Sequence, residues 1–228
     1  GVLDDYATRS GYVITPVVVW GGAGVRLAPD PAEVAAVTAA VAAILDEEAR
    51  AILCSDKVTT DEWLEVHETA HRVGLRSNVT IMAGSIERPI HWARHIERTR
   101  DVQRRTGGFT EFVPLPFVHM EAPMYLKGRA RRGPTFREAL LMHAVARLVF
   151  NGLIDNIQAS WVTQGPKIAQ LSLFFGANDF GSTMIEENVV AAAGVHFRLS
   201  EQEIRHLVID AGFSPQQRLM DYTPVGRK

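Results

Sequence analysis

The sequence contains a single cysteine, Cys54, among 228 residues. One cysteine excludes an intrachain disulfide, and it also excludes a zinc site or an iron–sulfur cluster held by cysteines of this chain alone. Because Cys54 has no C-x-x-C partner, we predict a buried or unreactive thiol rather than a nucleophile. The expected compartment is cytoplasmic.

A strong net charge and long hydrophobic runs are also missing. The formal net charge is −2 and the isoelectric point is near 6.5, so no field attracts a phosphate backbone. The longest weakly polar stretch, residues 34–45, is too short to cross a bilayer, and no basic start precedes an apolar core as in a signal peptide. We therefore expect neither a nucleic-acid nor a membrane partner.

Signals for strands and helices alternate along most of the chain. Residues 77–82, 110–114 and 156–162 are predicted strands, and residues 176–180 are a short turn or strand. Helices are predicted over residues 31–53, 60–73, 89–106, 135–150 and 166–175, near residue 186, and from a capping box at 200–203 to residue 212. This alternation predicts an α/β fold of parallel β/α units.

The count of these units indicates how the chain is organised. About four units follow residue 53, which amounts to half of a TIM-type barrel, its last four units. Residues 1–44 hold a predicted strand and the start of an Ala-rich helix and form no complete domain, whereas residues 45–228 form the half barrel. A half barrel has two open sheet edges, which favours completion by a homo-oligomer or by a complementing half-barrel chain.

The carboxyl ends of the strands are where a parallel β/α barrel places its reactive residues. In the first such segment, which runs from Thr80 to residue 87 (TIMAGSIE), Gly84 lets a ligand approach the backbone at the strand end. Glu87 offers a carboxylate to a ribose or an amine. The alternative is that Gly84 is a turn residue and Glu87 caps the next helix.

Two further segments carry polar residues at strand ends. In residues 112–125 (FVPLPFVHMEAPMY), three prolines stiffen a loop that presents His119, Glu121 and Tyr125 to a polar substrate. In residues 176–187 (GANDFGSTMIEE), glycines flank Asn178 and Asp179, which suits a cradle for a polar ligand. An ordinary surface loop and an Asx turn are the respective alternatives.

Two histidine pairs have the i, i+4 spacing that can bind a metal on one helix face. They are His67 with His71 and His91 with His95. Neither pair encloses the glutamate of an H-E-x-x-H motif, and both lie on helices that face away from the strand ends. We therefore expect no metal site.

Several segments resemble one group of cofactor-biosynthesis enzymes. Residues 56–77 (DKVTTDEWLEVHETAHRVGLRS), 107–128 (GGFTEFVPLPFVHMEAPMYLKG) and 151–162 (NGLIDNIQASWV) resemble the deazaflavin synthase component that couples tyrosine to an aminoribityl uracil. Residues 163–194 (TQGPKIAQLSLFFGANDFGSTMIEENVVAAAG) resemble dehypoxanthine futalosine cyclase of menaquinone biosynthesis. Residues 3–20 (LDDYATRSGYVITPVVVW) resemble a strand region of coenzyme-A-type Nudix hydrolases, but the sequence has no Nudix box.

The resemblance implies a radical S-adenosylmethionine enzyme that uses a 4Fe–4S cluster. It would place Gly84 and Glu87, with Thr80, near the adenosyl group, although the residues around Gly84 depart from the family's Phe-Gly-His character. It would place the following residues on the substrate side: His119, Glu121, Tyr125, Asn178, Asp179 and Thr183. It assigns no catalytic residue.

The family's three-cysteine motif is absent, so the expectation is that this chain binds neither cofactor by itself and is inactive alone. Three functions remain as hypotheses. The first is a piece of a deazaflavin synthase acting on tyrosine and 5-amino-6-ribitylaminouracil. The second is a futalosine cyclase, and the third is a non-enzymatic half barrel completed by a partner chain.

Overall fold

A computed structural model describes residues 6–7, 13–14, 44–53, 58–183, 189–219 and 221–226. Near the start, strands β1 (Tyr6–Ala7) and β2 (Val13–Ile14) pair antiparallel. The predicted Ala-rich helix falls among the described residues only at its end, where α1 covers Glu47–Leu53. Most of the predicted segment 1–44, and Cys54, lie outside the described residues.

The centre of the fold is a parallel sheet of three strands, as the alternation predicts. Its strands are β3 (Ser77–Ala83), β4 (Phe109–Pro116) and β5 (Asn156–Ile157), in that spatial order. A single parallel bridge between Gln158 and Asp179 stands where the sequence predicts a fourth strand. The α/β class with parallel strands is therefore confirmed.

Helices connect and follow the strands. They are α2 (Thr60–Arg72), α3 (Pro89–Thr106), α4 (Pro123–Leu126), α5 (Phe136–Val149), α6 (Trp161–Gln164), α7 (Pro166–Ser172) with a 3₁₀ turn (Leu173–Phe175), α8 (Val189–Ala192) and α9 (Glu201–Asp210). Within the described part of the chain, no helix combines the length and the apolarity needed to cross a membrane.

Two predicted boundaries are wrong. The cap of α2 is Thr59 rather than Thr60, because Thr59 forms a reciprocal capping box with Glu62 at the third helical position. The predicted strand 156–162 pairs in the ladder only to Ile157, and Trp161–Gln164 is helical. A short apolar run suits either structure, so periodicity alone could not separate them. The box of Ser200 with Glu203 forms as predicted.

A bulge in β4 decides which side chains face each side of the sheet. Ser77 is in register with Phe109 but Asn78 with Glu111, so one extra residue, Thr110, is inserted in β4. Phe109 and Phe112 consequently both pack on the side of the helices. The opposite side, here called the polar face, carries Asn78, Thr80, Glu111, Val113 and Asn156.

The helix side of the sheet holds the larger of two apolar cores. Val79, Ile81, Phe112 and Ile157 meet helices α1, α2, α3 and α5 there, with Trp63 fully buried among them. Each such side chain contributes roughly 1.5–3 kcal/mol through burial. A second core joins the segment 159–180 to α9, and it positions the strand ends described below.

Candidate functional site

A tight turn, residues 84–87, follows β3 at the carboxyl end of the sheet. Glu87 is only 3% exposed, and its carboxylate accepts hydrogen bonds from the backbone N–H groups of Gly84, Ser85 (3.0 Å) and Ile86 (2.9 Å). The Ser85 hydroxyl (2.6 Å) and Trp92 Nε1 (3.2 Å) donate to it as well. Burial alone would raise the pKa of Glu87, but these hydrogen bonds outweigh it and leave the pKa below its ordinary value.

The geometry around this turn bears on the predicted cofactor contacts. A Cβ added to Gly84, whose φ is +102°, would lie 2.0 Å from the backbone nitrogen of Pro134. The space beside Gly84 is therefore filled by the chain at Pro134 and is not open. Thr80 is buried on the polar face, in register with Val113. The carboxylate of Glu87 is used by its own turn. The assignment of Thr80, Gly84 and Glu87 to a cofactor stays a prediction that these contacts do not favour.

Residues 117–134, here called the mouth loop, lie over the same end of the sheet. The rings of His119 and Tyr125 meet edge to face with their centroids 4.7 Å apart, so the structure brings two predicted substrate residues together. Glu121 is exposed, and its backbone N–H donates to the carbonyl oxygen of Ala193 at 3.2 Å. The loop therefore spans from the β4 end to the segment after α8.

Arg131 anchors the mouth loop and was not identified from the sequence. Its backbone N–H donates to Ser85 O at 2.9 Å, and its Nη1 donates to both carboxylate oxygens of Glu138 at 2.9 and 3.0 Å. Its guanidinium carbon lies 5.7 Å from the ring centre of Trp92. The mouth loop and the 84–87 turn are thus one connected polar layer.

Asn178 lies at the other end of the sheet. Its Oδ1 accepts from the backbone N–H of Ile157 (2.9 Å) and from Arg147 Nη2 (2.7 Å), and its Nδ2 donates to Asp155 O (3.0 Å). These partners surround the start of β5, at the amino end of the strand, where stabilising rather than reactive residues occur in parallel β/α folds. Substrate binding by Asn178 stays a prediction that this position does not favour.

Asp179 belongs to a buried polar cluster on the polar face of the sheet. Arg218 pairs with its carboxylate through Nε and through Nη2, the latter at 2.9 Å. The same guanidinium approaches Glu111 at 3.6 Å and lies over the ring of Tyr222 at 4.3 Å. Burial, and then the charge of Asp179, raise the pKa of Glu111 to about 7, against the lowering effect of Arg218.

A cleft of about 740 Å³ adjoins this cluster. Its walls are residues 177–183, helix α9 and residues 213–219, with Tyr222 and Pro224 at one side. Thr183 is exposed in the first wall. Apolar residues such as Phe180 and Phe213 form much of the surface, with polar groups around them, which is the composition of a small-molecule site.

Three potential metal ligands lie close together, but both acids among them already pair with arginines. Asp46, Glu48 and His91 bring one ligand atom each within 4.8 Å of the others. Arg94 already pairs with Asp46, and Arg88 pairs with Glu48, each at 2.9 Å. The two predicted histidine pairs do not add a site, because His67 stacks on the ring of Trp63 and buried His95 accepts a hydrogen bond from Leu45 N.

The structure therefore separates the predicted residues into two places. Thr80, Gly84, Glu87, His119, Glu121 and Tyr125 lie on the strands and loops of the β3–β4 region. Asn178, Asp179 and Thr183 line the cleft, and the side chain of Asn178 is bonded at the amino end of β5. Glu111 was missed, although a charged residue within the apolar strand FTEFVPLP was a usable signal. These features define an α/β protein of parallel β/α units with polar loops at the carboxyl end of its sheet.

Comparison with known proteins specifies this class further. The family described as "CofH/MqnC C-terminal region" matches residues 106–227, and the chain belongs to this family. The 5-amino-6-(D-ribitylamino)uracil--L-tyrosine 4-hydroxyphenyl transferase of Methanothermobacter thermautotrophicus is 49% identical over 179 residues, 78% of this chain and 49% of that protein.

Two other relatives are similar over the same extent of the chain. The transferase of the same name from Methanopyrus kandleri is 48% identical over 81% of this chain and 50% of its own length. The FO synthase of Mycobacterium leprae is 45% identical over 79% of this chain and 21% of its own length. The chain thus spans about half the length of the transferases and a fifth of the FO synthase.

Proposed function

We propose that the chain supplies the substrate-binding half of a radical S-adenosylmethionine enzyme of deazaflavin biosynthesis, which couples tyrosine to 5-amino-6-(D-ribitylamino)uracil. The observation that carries the proposal is the 44–50% identity to proteins named for this transfer and to FO synthases. The match with the family includes the mouth loop and the residue 177–183 wall of the cleft. His119 and Tyr125 would contact substrate from the mouth loop, and Thr183 from the cleft.

The proposed architecture is half of a TIM-type barrel, residues 45–228. Three paired parallel strands and the bridge at Asp179 support it. Among the described residues, β3 pairs only with β4, so one side of its backbone is available to a further strand. We propose that a complementing chain, or a second copy, adds strands at this edge.

The cofactors of the family do not fit the groups that this chain presents. A 4Fe–4S cluster of this type needs three thiolates, and the sequence has one cysteine. At the predicted adenosyl contacts, the carboxylate of Glu87 is saturated and Pro134 fills the space beside Gly84. We infer that the cluster and its S-adenosylmethionine are held by the complementing half, while this chain binds and orients substrate.

Reconstitution with the part of a relative that this chain does not match tests this function. The chain is mixed anaerobically with the part of the Methanothermobacter relative that it does not match, together with iron, sulfide, S-adenosylmethionine, tyrosine and the ribitylaminouracil. We expect the coupled product, detected by mass spectrometry, from the mixture and from neither part alone. Cluster formation and cofactor cleavage by this chain alone would contradict the division of roles.

Dehypoxanthine futalosine cyclase is the second candidate, supported by residues 163–194 and by the inclusion of MqnC in the family description. The same mixture is therefore also supplied with dehypoxanthine futalosine in place of the two other substrates. Conversion of that compound, without coupling of tyrosine, would replace the first function by the second. A mixture that cleaves the cofactor but converts neither substrate set would overturn both.

A further inference from the structure

The C-terminal segment folds back on itself over the polar face of the sheet. Residues 213–219 and 221–226, here called the tail, form a small hairpin through the antiparallel bridge of Arg218 with Pro224. Leu219 N donates to Thr223 O at 2.9 Å, and Val225 N donates to Gln217 O at 2.8 Å. The tail therefore has its own hydrogen-bonded shape and reaches the sheet through side chains.

Arg218 is the main contact between the tail and the sheet. Its guanidinium is bidentate to Asp179, lies 3.6 Å from Glu111, and is covered by the Tyr222 ring. Such paired, planar contacts suit arginine, and they are stronger than single hydrogen bonds. The burial of Asp179 (8% exposed) and Glu111 (3%) makes this contact sensitive to charge.

The cluster holds two carboxylates for one cation. The groups that face Glu111 are Asp179 beside β5, Arg218 and Tyr222 in the tail, and the neutral amide of Gln158, whose Nε2 lies 3.3–3.4 Å away. With both acids ionised the cluster would carry a net negative charge in a buried place, which is costly. A proton on Glu111 makes the cluster neutral, consistent with its pKa of about 7.

We propose that the tail is a proton-dependent clasp: Arg218 holds it on the polar face while Glu111 is protonated, and the tail detaches more readily once Glu111 has lost its proton. Detachment removes Arg218 and the Tyr222 hydrogen bond, which favour the ionised form of Glu111, but it also admits water and removes the burial that disfavours this form. Burial is the largest of these influences on the pKa, so proton loss favours the detached state. This inference goes beyond the proposed function and does not depend on it.

The clasp also controls one wall of the cleft. Asp179 Oδ1 accepts a hydrogen bond from Gly181 N at 2.6 Å, and the Asp179 backbone pairs with that of residues 157–159. Arg218 therefore acts through Asp179 as a positioning residue for the 177–183 wall. Opening of the clasp therefore removes the tail wall of the cleft and at the same time loosens the 177–183 wall.

Hydrogen exchange of the full chain, followed by mass spectrometry from pH 6 to pH 8, tests the clasp. After correction for intrinsic exchange rates, the opening equilibrium of peptides that contain Leu219 and Val225 should increase about tenfold over this range, for a Glu111 pKa that moves between its ordinary value and about 7. Glu111→Gln should remove this pH dependence and keep the tail as protected as in the wild type at pH 6. Exposed Glu65 provides the control, because Glu65→Gln should retain the tenfold range.

Arg218→Gln provides a second variant, which keeps Glu111 and removes the clasp. Its tail peptides should exchange rapidly at every pH, so the tenfold range should be lost. A wild-type tail whose protection does not change with pH would overturn the proposal. So would an unchanged pH response in either Glu111→Gln or Arg218→Gln, since the response would then come from another group.

Discussion

Two glutamates of this protein are equally buried, yet their pKa values are shifted in opposite directions. Glu87 in the turn after β3 and Glu111 in β4 are each 3% exposed, yet the pKa of Glu87 lies below its ordinary value and that of Glu111 is raised to about 7. Glu87 accepts several short hydrogen bonds from its own turn and from Trp92. Glu111 has a second carboxylate beside it, and its hydrogen-bond donors are Tyr222 and Gln158, the latter at 3.3–3.4 Å.

The comparison shows that burial does not determine the charge of an acid. The backbone amides that bind Glu87 stay close to it, because they belong to the adjacent residues of the same turn. The cation that supports Glu111 belongs to a segment 107 positions away in sequence and can separate from it. One carboxylate therefore stabilises a turn, and the other is able to respond to pH.

The largest effect is expected from removal of the acceptor in the turn. Glu87→Ala leaves the N–H groups of Gly84, Ser85 and Ile86 without their partner, and we expect a loss of about 3 kcal/mol in the free energy of unfolding, measured with urea at pH 7. Glu65→Ala on the exposed face of α2 is the control, with an expected change within about 0.5 kcal/mol. An unchanged unfolding midpoint for Glu87→Ala would show that the turn does not rely on this carboxylate.

A smaller change in the free energy of unfolding is expected from pH, and its sign follows from the raised pKa of Glu111. The pKa of Glu111 in the folded state, about 7, lies above its ordinary value of 4.5, so the folded state binds more protons between these two pH values. The stability that this group contributes is therefore fully present below about pH 4.5 and is lost as the pH rises through 7. Between pH 5 and 7.5 the wild type should lose about 2 kcal/mol relative to Glu111→Gln. Parallel stability curves for the two proteins would refute this assignment.

The smallest effect concerns the amide beside Glu111. Gln158 donates to Glu111 at 3.3–3.4 Å and lowers its pKa, so Gln158→Leu should raise that pKa further, by much less than the displacement from 4.5 to about 7. Titration of the ¹³C-labelled carboxyl signal by NMR measures this change. A fall in the pKa would mean that Gln158 desolvates Glu111 more than it stabilises the charge.

Local signals in the sequence determined much of the fold but little of the cluster. Capping patterns and glycine stops placed most helices, since each acts over three or four residues. The end of β5 was predicted too late, because the apolar residues near Trp161 suit both a strand and a helix. Pairing of Arg218 with Asp179 depends on the fold of the intervening chain and has no local signature.

The predicted site residues were chosen from their position at strand ends, a criterion that indicates a loop but not the contacts within it. His119 and Tyr125 meet, as residues of one short loop can. Asn178 directly precedes Asp179 and both line the cleft, yet the Asn178 amide binds the amino end of β5 while the Asp179 carboxylate pairs with Arg218. Neighbouring residues of an extended segment point in opposite directions, and the sequence did not show where that segment enters the sheet.

The single extra residue in β4 has a consequence for building chimeras of this protein. Deleting Thr110 would remove the bulge and leave Phe109 in register with Ser77 and Glu111 with Asn78, so both faces of the strand would be kept. Deleting a residue after Glu111 would instead turn the rest of the strand to the opposite face. Segments exchanged with relatives should therefore keep residues 111–116 intact and be joined in exposed turns, such as 127–129, where a change of length alters no strand register. The strand therefore tolerates a change of length at its bulge, whereas a shift of one residue after Glu111 would exchange its apolar and polar sides.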